Sequence, residues 1–236
     1  MQKNCIICES RDTKRTQKVV KCNFCGHVYR DYGNIDLENY YTNEYRKKPD
    51  STAVANKPSD SVLEKRNKEK FRLVKDHLTS CQNLLEVGFG RGHFWRQFSE
   101  NEPNKQYYCC EIDLGLAEEA EKKKINVFKS KFQDIEPKFL FDTVVSFDVL
   151  EHFNNPYEYK EKLLTVLKPN GLAVIQVPVD RALHSRDPFD GHYNYFSKKS
   201  LEIMMGLEFD LVDAIKTKKG QVAGGNELLT IFRKIY

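Results

Sequence analysis

Gly88, Gly90 and Gly92 stand at alternate positions directly after the apolar run Leu84-Leu-Glu-Val87 and just before Phe94-Trp95. Glycine at this spacing permits a tight turn and lets a ligand approach the backbone closely. A turn from strand to helix at the carboxyl edge of a sheet is where doubly wound folds bind nucleotides. A dinucleotide fingerprint needs its third glycine at position 93, where this chain has His93. Glu86, two residues before the first glycine, supplies a carboxylate that can accept a hydrogen bond from an ammonium group or, through water, hold one end of a cationic nucleoside. Glu111 closes a second apolar run, Tyr107 to Cys110, and is placed to accept both hydroxyls of a ribose. Asp113 is the alternative there, unless it caps a helix starting near Leu114. Asp134, after a third run, can accept an adenine amino group.

Four of the seven cysteines form a second group. Cys5-x-x-Cys8 and, after thirteen residues, Cys22-x-x-Cys25 offer four thiolates from two tight turns, the arrangement a tetrahedral zinc ion takes. Lys and Arg outnumber acids in this stretch, which favours thiolate formation. The closed site leaves no position for substrate, and the segment is too short to bury a core, so the zinc is expected to be structural. His27 could replace one cysteine as ligand, and otherwise sits beside the site.

Proton-transfer candidates are Asp148, Glu151 and His152 after a fourth apolar run, and His184, His192, Tyr193 and Tyr195 after a fifth. Histidine titrates near neutrality, so His152 and His192 are the expected bases. The stretch Asp180–Phe196 is long, polar and aromatic, as a substrate loop would be, and its Arg181 and Arg186 could grip an acidic acceptor.

These groups need a scaffold to hold them. Residues 1–35 read as a cysteine-bearing unit, 36–60 as a connecting segment, and 61–236 as the main domain. Ser61-Val-Leu-Glu64 resembles a capping box, and Leu63, Phe71, Val74 and Leu78 share one helical face, which predicts a helix over 61–79. Apolar runs at 83–87, 106–111, 125–129, 142–147 and 171–177 predict a mostly parallel sheet with helices on both faces. Ser197 opens a further helix to Met205, and runs at 208–215 and 227–233 predict an antiparallel hairpin. A hydrophobic content of 40% is ample for a core, and the net charge of +4 falls short of the basic stripe of a nucleic-acid binder. No run of about 18 apolar residues appears, and the first ten residues lack a secretory apolar stretch, so a cytoplasmic protein with no membrane partner is expected.

Over roughly residues 60–236 the chain resembles the class I S-adenosylmethionine-dependent methyltransferases, on the strength of Leu84–Phe94, Glu111, Asp134, Phe141–His152 and Leu167–Leu172. The resemblance implies an α/β, Rossmann-like sheet of seven strands in order 3-2-1-4-5-7-6, the seventh antiparallel, with the donor across the carboxyl ends of strands one, two and four. The donor site it implies takes Glu86, Gly88, Phe89, Gly90 and Gly92 from the first turn, and Glu111 and Ile112 after the second strand. Asp134 follows the third strand, and Phe147 and Asp148 end the fourth. His192, shortly before Ser197, matches the family's usual histidine ahead of the helix after strand five. The zinc-ribbon-like start, with Tyr40, Tyr41 and Tyr45, is more loosely similar to bacterial methyltransferases that act on sugars and other small metabolites, and implies that these tyrosines fold over the donor. Some quinone-pathway O-methyltransferases bind a divalent cation at an acidic-x-x-Glu-His motif, which Asp148-x-x-Glu151-His152 resembles with Asp at its first position. In the wider family Leu-Glu-His shapes the pocket floor, with His152 near the acceptor.

The expected function is therefore methylation, at oxygen or carbon, of a sugar or related small metabolite. The alternatives are a zinc-bearing nucleic-acid-binding or RNA-modifying protein and a quinone-type metal-assisted O-methyltransferase. A nitrogen-methylating motif of the Asn/Asp-Pro-Pro-Tyr/Phe kind is absent after strand four, and a nucleic-acid partner is not expected. A nicotinamide oxidoreductase fails on His93 and on the terminal hairpin.

Overall fold

Leu84 and Leu85 are both fully buried although they point to opposite sides of one strand, the mark of a sheet covered on both faces. The computed structural model describes residues 4–16, 19–31, 58–179, 191–218, 220–222 and 225–236. Its main sheet contains β4 (Asn83–Val87), β5 (Gln106–Cys110), β6 (Asn126–Phe128), β7 (Phe141–Phe147), β8 (Leu167–Pro178), β10 (Phe209–Thr217) and β11 (Glu227–Lys234). The spatial order is β10-β11-β8-β7-β4-β5-β6, with β11 antiparallel to both of its neighbours and the other pairings parallel. This is the order 3-2-1-4-5-7-6 expected from the resemblance. Among the described residues no helix is long and apolar enough to cross a membrane.

Helices α1 (Asp60–Val74) and α2 (His93–Asn101) cover the face of Leu84, packing Phe71, Val74, Phe94 and Phe98 against Tyr107, Val145 and Val174. α3 (Leu114–Lys122) follows β5 and turns its Ala120 into the same core. α4 (Pro156–Val166) and α5 (Lys198–Met205) cover the opposite face, where Leu85, Val144 and Ile175 meet Tyr159, Leu163 and Leu201. Ser197 caps α5 by accepting from the Ser200 amide, as expected. The Ser61–Glu64 capping box does not form. Ser59 is the cap residue, without a side-chain bond, and Glu64 instead accepts from Gln97 at 2.6 Å and approaches Arg96 and His93 at 3.3 Å, tying α1 to α2. The second difference lies before the fifth strand, where Leu167–Gly171 belongs to β8 itself and Asn170 takes a positive φ of 63°.

The cysteine-bearing unit builds a second sheet from β1 (Thr13–Thr16), β2 (Val19–Cys22) and β3 (Val28–Arg30). Its fourth strand, β9 (Asn194–Tyr195), comes from the far end of the chain and pairs antiparallel with β3. Cys5, Ile7, Cys22 and Cys25 share one buried cluster with Phe196 and Leu201, so the small sheet sits on the α4–α5 face. Tyr157 of α4 donates to the Ile7 carbonyl at 2.7 Å, and the Ser197 hydroxyl donates to the Cys25 carbonyl.

Candidate active site and cysteine centre

Strand parity sets the donor-side geometry. Glu86 points to the same face as Leu84, into the α1–α2 side, while the chain beyond Val87 bends into the glycine turn. Gly88, Gly90 and Gly92 have φ of 79°, 54° and 74°, a region side chains rarely enter. A Cβ on Gly88 would lie 2.9 Å from Val149, and one on Gly92 would strike the Phe89 ring, whereas one on Gly90 meets nothing within 4 Å. Phe89 is thus the buried floor of the turn, and the space over Gly90 is open for a ligand.

Glu111, at the end of β5, reaches across to this turn. Its carboxylate accepts from the Gly90 amide at 3.0 Å and from the Asp113 amide at 2.9 Å. Burial raises its pKa, against the pull of those amides. Asp113 caps α3 by accepting from Leu116 at 3.1 Å, so the helix-cap reading describes it. Ile112 is half-buried beside it, and Asp134 is exposed at the end of a short 3-10 turn, Phe132–Asp134. Glu86 is buried, accepts a hydrogen bond from the Tyr107 hydroxyl, and is pushed by burial up to about 8, while Tyr107 and Lys70 pull it the other way.

Phe147 and Asp148 close the strand-four end. Asp148 has a φ of 59° and is held on three sides, by Lys70 Nζ at 3.4 Å, the Gln176 amide at 3.1 Å and its own amide on the Gln176 carbonyl at 3.1 Å. The Lys70 ammonium also lies 4.8 Å from the centre of the Phe147 ring, a cation–π distance.

His152 and His192 come together with ring centroids 4.7 Å apart. His152 Nδ1 lies 2.7 Å from the Gly191 carbonyl. A carbonyl can only accept, so Nδ1 carries a proton there and proton exchange falls to Nε2. Glu151 is fully buried, with a carboxylate oxygen 3.9 Å from His192 Nε2. Burial, with Asp148 alongside, pushes Glu151 well above the usual carboxylate range, and the same two causes bring Glu227 up to about 8. Glu151, His152 and His192 offer three ligand atoms within 4.8 Å of one another and could hold a cation. Asp148 is not in that group, because Lys70 and Gln176 hold it, so the Asp-x-x-Glu-His motif does not assemble as a single ligand set. Arg181, His184 and Arg186, the tyrosines Tyr40, Tyr41 and Tyr45, and residues 36–57 of the connecting segment lie outside the described residues.

Lys70, Tyr107, Gln176 and Glu227 join the site without having been expected there. Lys70 stands four residues before Val74 on the apolar stripe of α1, where a charged residue breaks the pattern and signals a buried partner. Gln176 interrupts the run Ala173-Val-Ile-Gln-Val177 in the same way.

A pH dependence follows from the raised carboxyls. A carboxyl with a raised folded pKa contributes its full stability below the unfolded value near 4.5 and loses it as pH climbs to about 8. The unliganded protein is therefore expected to lose this part of its stability between about pH 5 and about pH 8, and Glu227→Gln to flatten the slope. Urea denaturation of both forms across that range is the measurement, and parallel slopes would refute the assignment.

The four thiol groups of Cys5, Cys8, Cys22 and Cys25 gather within 4.8 Å of one another, with Cys5–Cys25 at 3.6 Å and Cys8–Cys22 at 3.5 Å. A zinc–sulfur bond of about 2.3 Å in a tetrahedron implies sulfur separations of about 3.8 Å, which these nearly match. Amides of Ile7 and Cys25 point at the sulfurs of Cys5 and Cys22, both at 3.4 Å, so the turns already stabilise charge on sulfur. His27 is buried outside the group, with Nε2 3.1 Å from the Asn194 side-chain oxygen. The donor set fits a structural zinc ion without it.

A family described as a methyltransferase domain matches residues 45–212. A ubiquinone biosynthesis O-methyltransferase of Rickettsia bellii is 35% identical over 108 residues, 43% of this chain and 45% of that protein. A tRNA U34 carboxymethyltransferase of Actinobacillus succinogenes is 26% identical over 119 residues, 47% of this chain and 37% of that protein. The match thus spans less than half the length of these relatives. In structure the chain is similar to the 1,6-didemethyltoxoflavin-N1-methyltransferase of Burkholderia thailandensis, solved with S-adenosylhomocysteine, at a TM-score of 0.66 and 16% identity over 95% of this chain and 100% of that one. It is also similar to the N-methyltransferase NodS of Bradyrhizobium japonicum with S-adenosylhomocysteine, at a TM-score of 0.59 and 16% identity over 84% of this chain and 99% of that one.

Proposed function

The chain belongs to the methyltransferase-domain family, and from that premise we propose that it is an S-adenosylmethionine-dependent enzyme that methylates a small molecule, a sugar or related metabolite, at oxygen or carbon. The observation that supports the reading is the convergence of buried Glu151 with half-buried His152 and His192 just past the end of β7, three groups able to bind a small acceptor or take a proton from it.

Bound S-adenosylmethionine supplies an electrophilic methyl group on sulfur, so the protein's task is mainly alignment and removal of one proton. Glu111 and the open backbone at Gly90 are the proposed seat of its ribose, with Ile112 and Asp134 beside the adenine and Glu86, Phe147 and Asp148 toward the methionine end. Lys70 joins this set as a cation near the place proposed for the methionine carboxylate. His152, with its proton fixed on Nδ1, presents Nε2 as the base, and His192 stands against it. The cysteine centre is proposed to hold zinc and to take no part in the transfer.

Methylation detected by product mass across nucleotide sugars, phenols and RNA tests the acceptor class. Transfer to RNA alone would overturn the small-molecule reading in favour of the tRNA-modifying relative's chemistry. Donor binding has a simpler readout. At about a hundred times its Kd, S-adenosylhomocysteine is expected to stabilise the protein by about 2.7 kcal/mol, which is roughly 5–10 °C in melting temperature for a chain of this length. NAD is expected to leave the melting temperature unchanged, and a shift with NAD instead would refute the donor assignment.

A further inference from the structure

Four buried hydrogen-bond acceptors at the carboxyl edge of the main sheet have no donor among the described residues: both carboxylate oxygens of Glu151, Oε1 of Gln176 and Oε2 of Glu227. Glu151 and Gln176 are fully buried and Glu227 is 3% exposed. Topology brings them together. Glu227 opens β11 opposite Pro178, two residues along β8 from Gln176, while the Gln176 amide holds Asp148, three residues before Glu151. The donor-side carboxylates are different, because Glu86 already has Tyr107 and Glu111 already has two backbone amides. The unmet acceptors therefore belong to the acceptor half of the site.

Charge points the same way. Asp148, Glu151 and Glu227 are three carboxyl groups with one ammonium among the described residues, Lys70, beside them; Lys70 is committed to Asp148, and the His192 ring stands 3.9 Å from Glu151. Buried acceptors without donors, and carboxyl groups crowded together, are both costly, and are kept where a ligand completes them. A protonated amine brings three N–H donors and a positive charge in one group. A neutral polyol brings donors without the charge, and a metal ion brings charge without donors.

Resting on the methyltransferase reading above, we propose that the acceptor is an amine-bearing small molecule whose protonated amino group docks between Glu151, Gln176 and Glu227. The amine is the handle for recognition, and it places the atom to be methylated against the open side of the donor.

The test uses the full chain loaded with S-adenosylhomocysteine, titrated calorimetrically with matched probes: glucosamine against glucose, galactosamine against galactose, and tyramine against 4-ethylphenol. At least one amine is expected to bind about tenfold or more tightly than its neutral partner. Glu151→Gln and Glu227→Gln should each shrink that preference to about twofold while binding S-adenosylhomocysteine as the parent does, which shows that the fold survives. Equal binding of both members of every pair, or no amine preference anywhere in the panel, overturns the proposal. So does magnesium or manganese binding alone that is lost in Glu151→Gln. If S-adenosylhomocysteine itself fails to bind, the methyltransferase reading and this inference fall together; if it binds and no amine is preferred, this inference alone falls.

Discussion

Replacing Cys22 and Cys25 together with serine is expected to strip the protein of zinc and to lower its melting temperature by roughly 10–20 °C. The strands β1, β2 and β3 have only four, four and three residues, and three residues of β1 are exposed. Little apolar surface holds them apart from Ile7, Val19, Val20, Tyr29 and the cysteines themselves. In isolated modules of this kind zinc contributes on the order of 10 kcal/mol. Contacts with the main domain through β9, Tyr157 and Ser197 survive its loss, so the expected deficit is about half of that, still comparable to the whole stability of an ordinary domain. The glycine turn is built between β4 and α2 and not by the ribbon strands, so S-adenosylhomocysteine should still bind to the zinc-free variant. Metal analysis, calorimetry and ligand titration of one preparation decide the matter. A variant that loses zinc and melts within about 2 °C of the parent would show that the centre is not structural.

Gly92→Ala is expected to cost both stability and donor binding, and Gly90→Ala donor binding alone. At Gly92 the new methyl group would strike the ring of Phe89, which is itself buried, and the positive φ adds about 1–2 kcal/mol of backbone strain. The turn must then open, Gly92 no longer starts α2 in register, and affinity for S-adenosylhomocysteine should fall about a hundredfold or more, equivalent to about 2.7 kcal/mol. Gly90 carries a similar strain but faces open space, so without ligand the protein should tolerate the methyl group at that modest expense. The same group then occupies the space proposed for the nucleoside. Thermal melts with and without S-adenosylhomocysteine separate the two effects. Unchanged binding in both variants would mean that the turn is not the donor cradle.

The elements of the main sheet were legible because each carries a local signal: apolar runs of strand length, separated by stretches that can hold helices, with a serine where α5 begins. Their lateral order has no local signal and came from the family resemblance. The glycine turn was legible because few residues satisfy a positive φ, and Glu111 because a carboxylate ending the second strand is placed to reach that turn. Glu64 was misassigned because a capping pattern and a bridge between helices use the same residue types, and only the neighbouring helix distinguishes them. Lys70 and Glu227 were missed because a single charged residue on a helix or at a strand end is usually solvated; their burial follows from partners far away in sequence. β9 offers no sequence signal at all, being two residues that become a strand only because β3 presents an edge.

That two-residue strand also governs the order in which the chain can finish folding. Val28 pairs with Tyr195, and the buried His27–Asn194 contact joins residues 167 positions apart. During synthesis the ribbon leaves the ribosome before the main domain, yet its sheet cannot be completed until five of the seven strands of the main sheet have followed. For that interval β3 presents an unpaired backbone edge, the kind that recruits wrong partners. A nascent chain with the proposed zinc already bound would hold the three short strands in place while it waits, so zinc starvation is expected to show itself as poor yield of newly made protein.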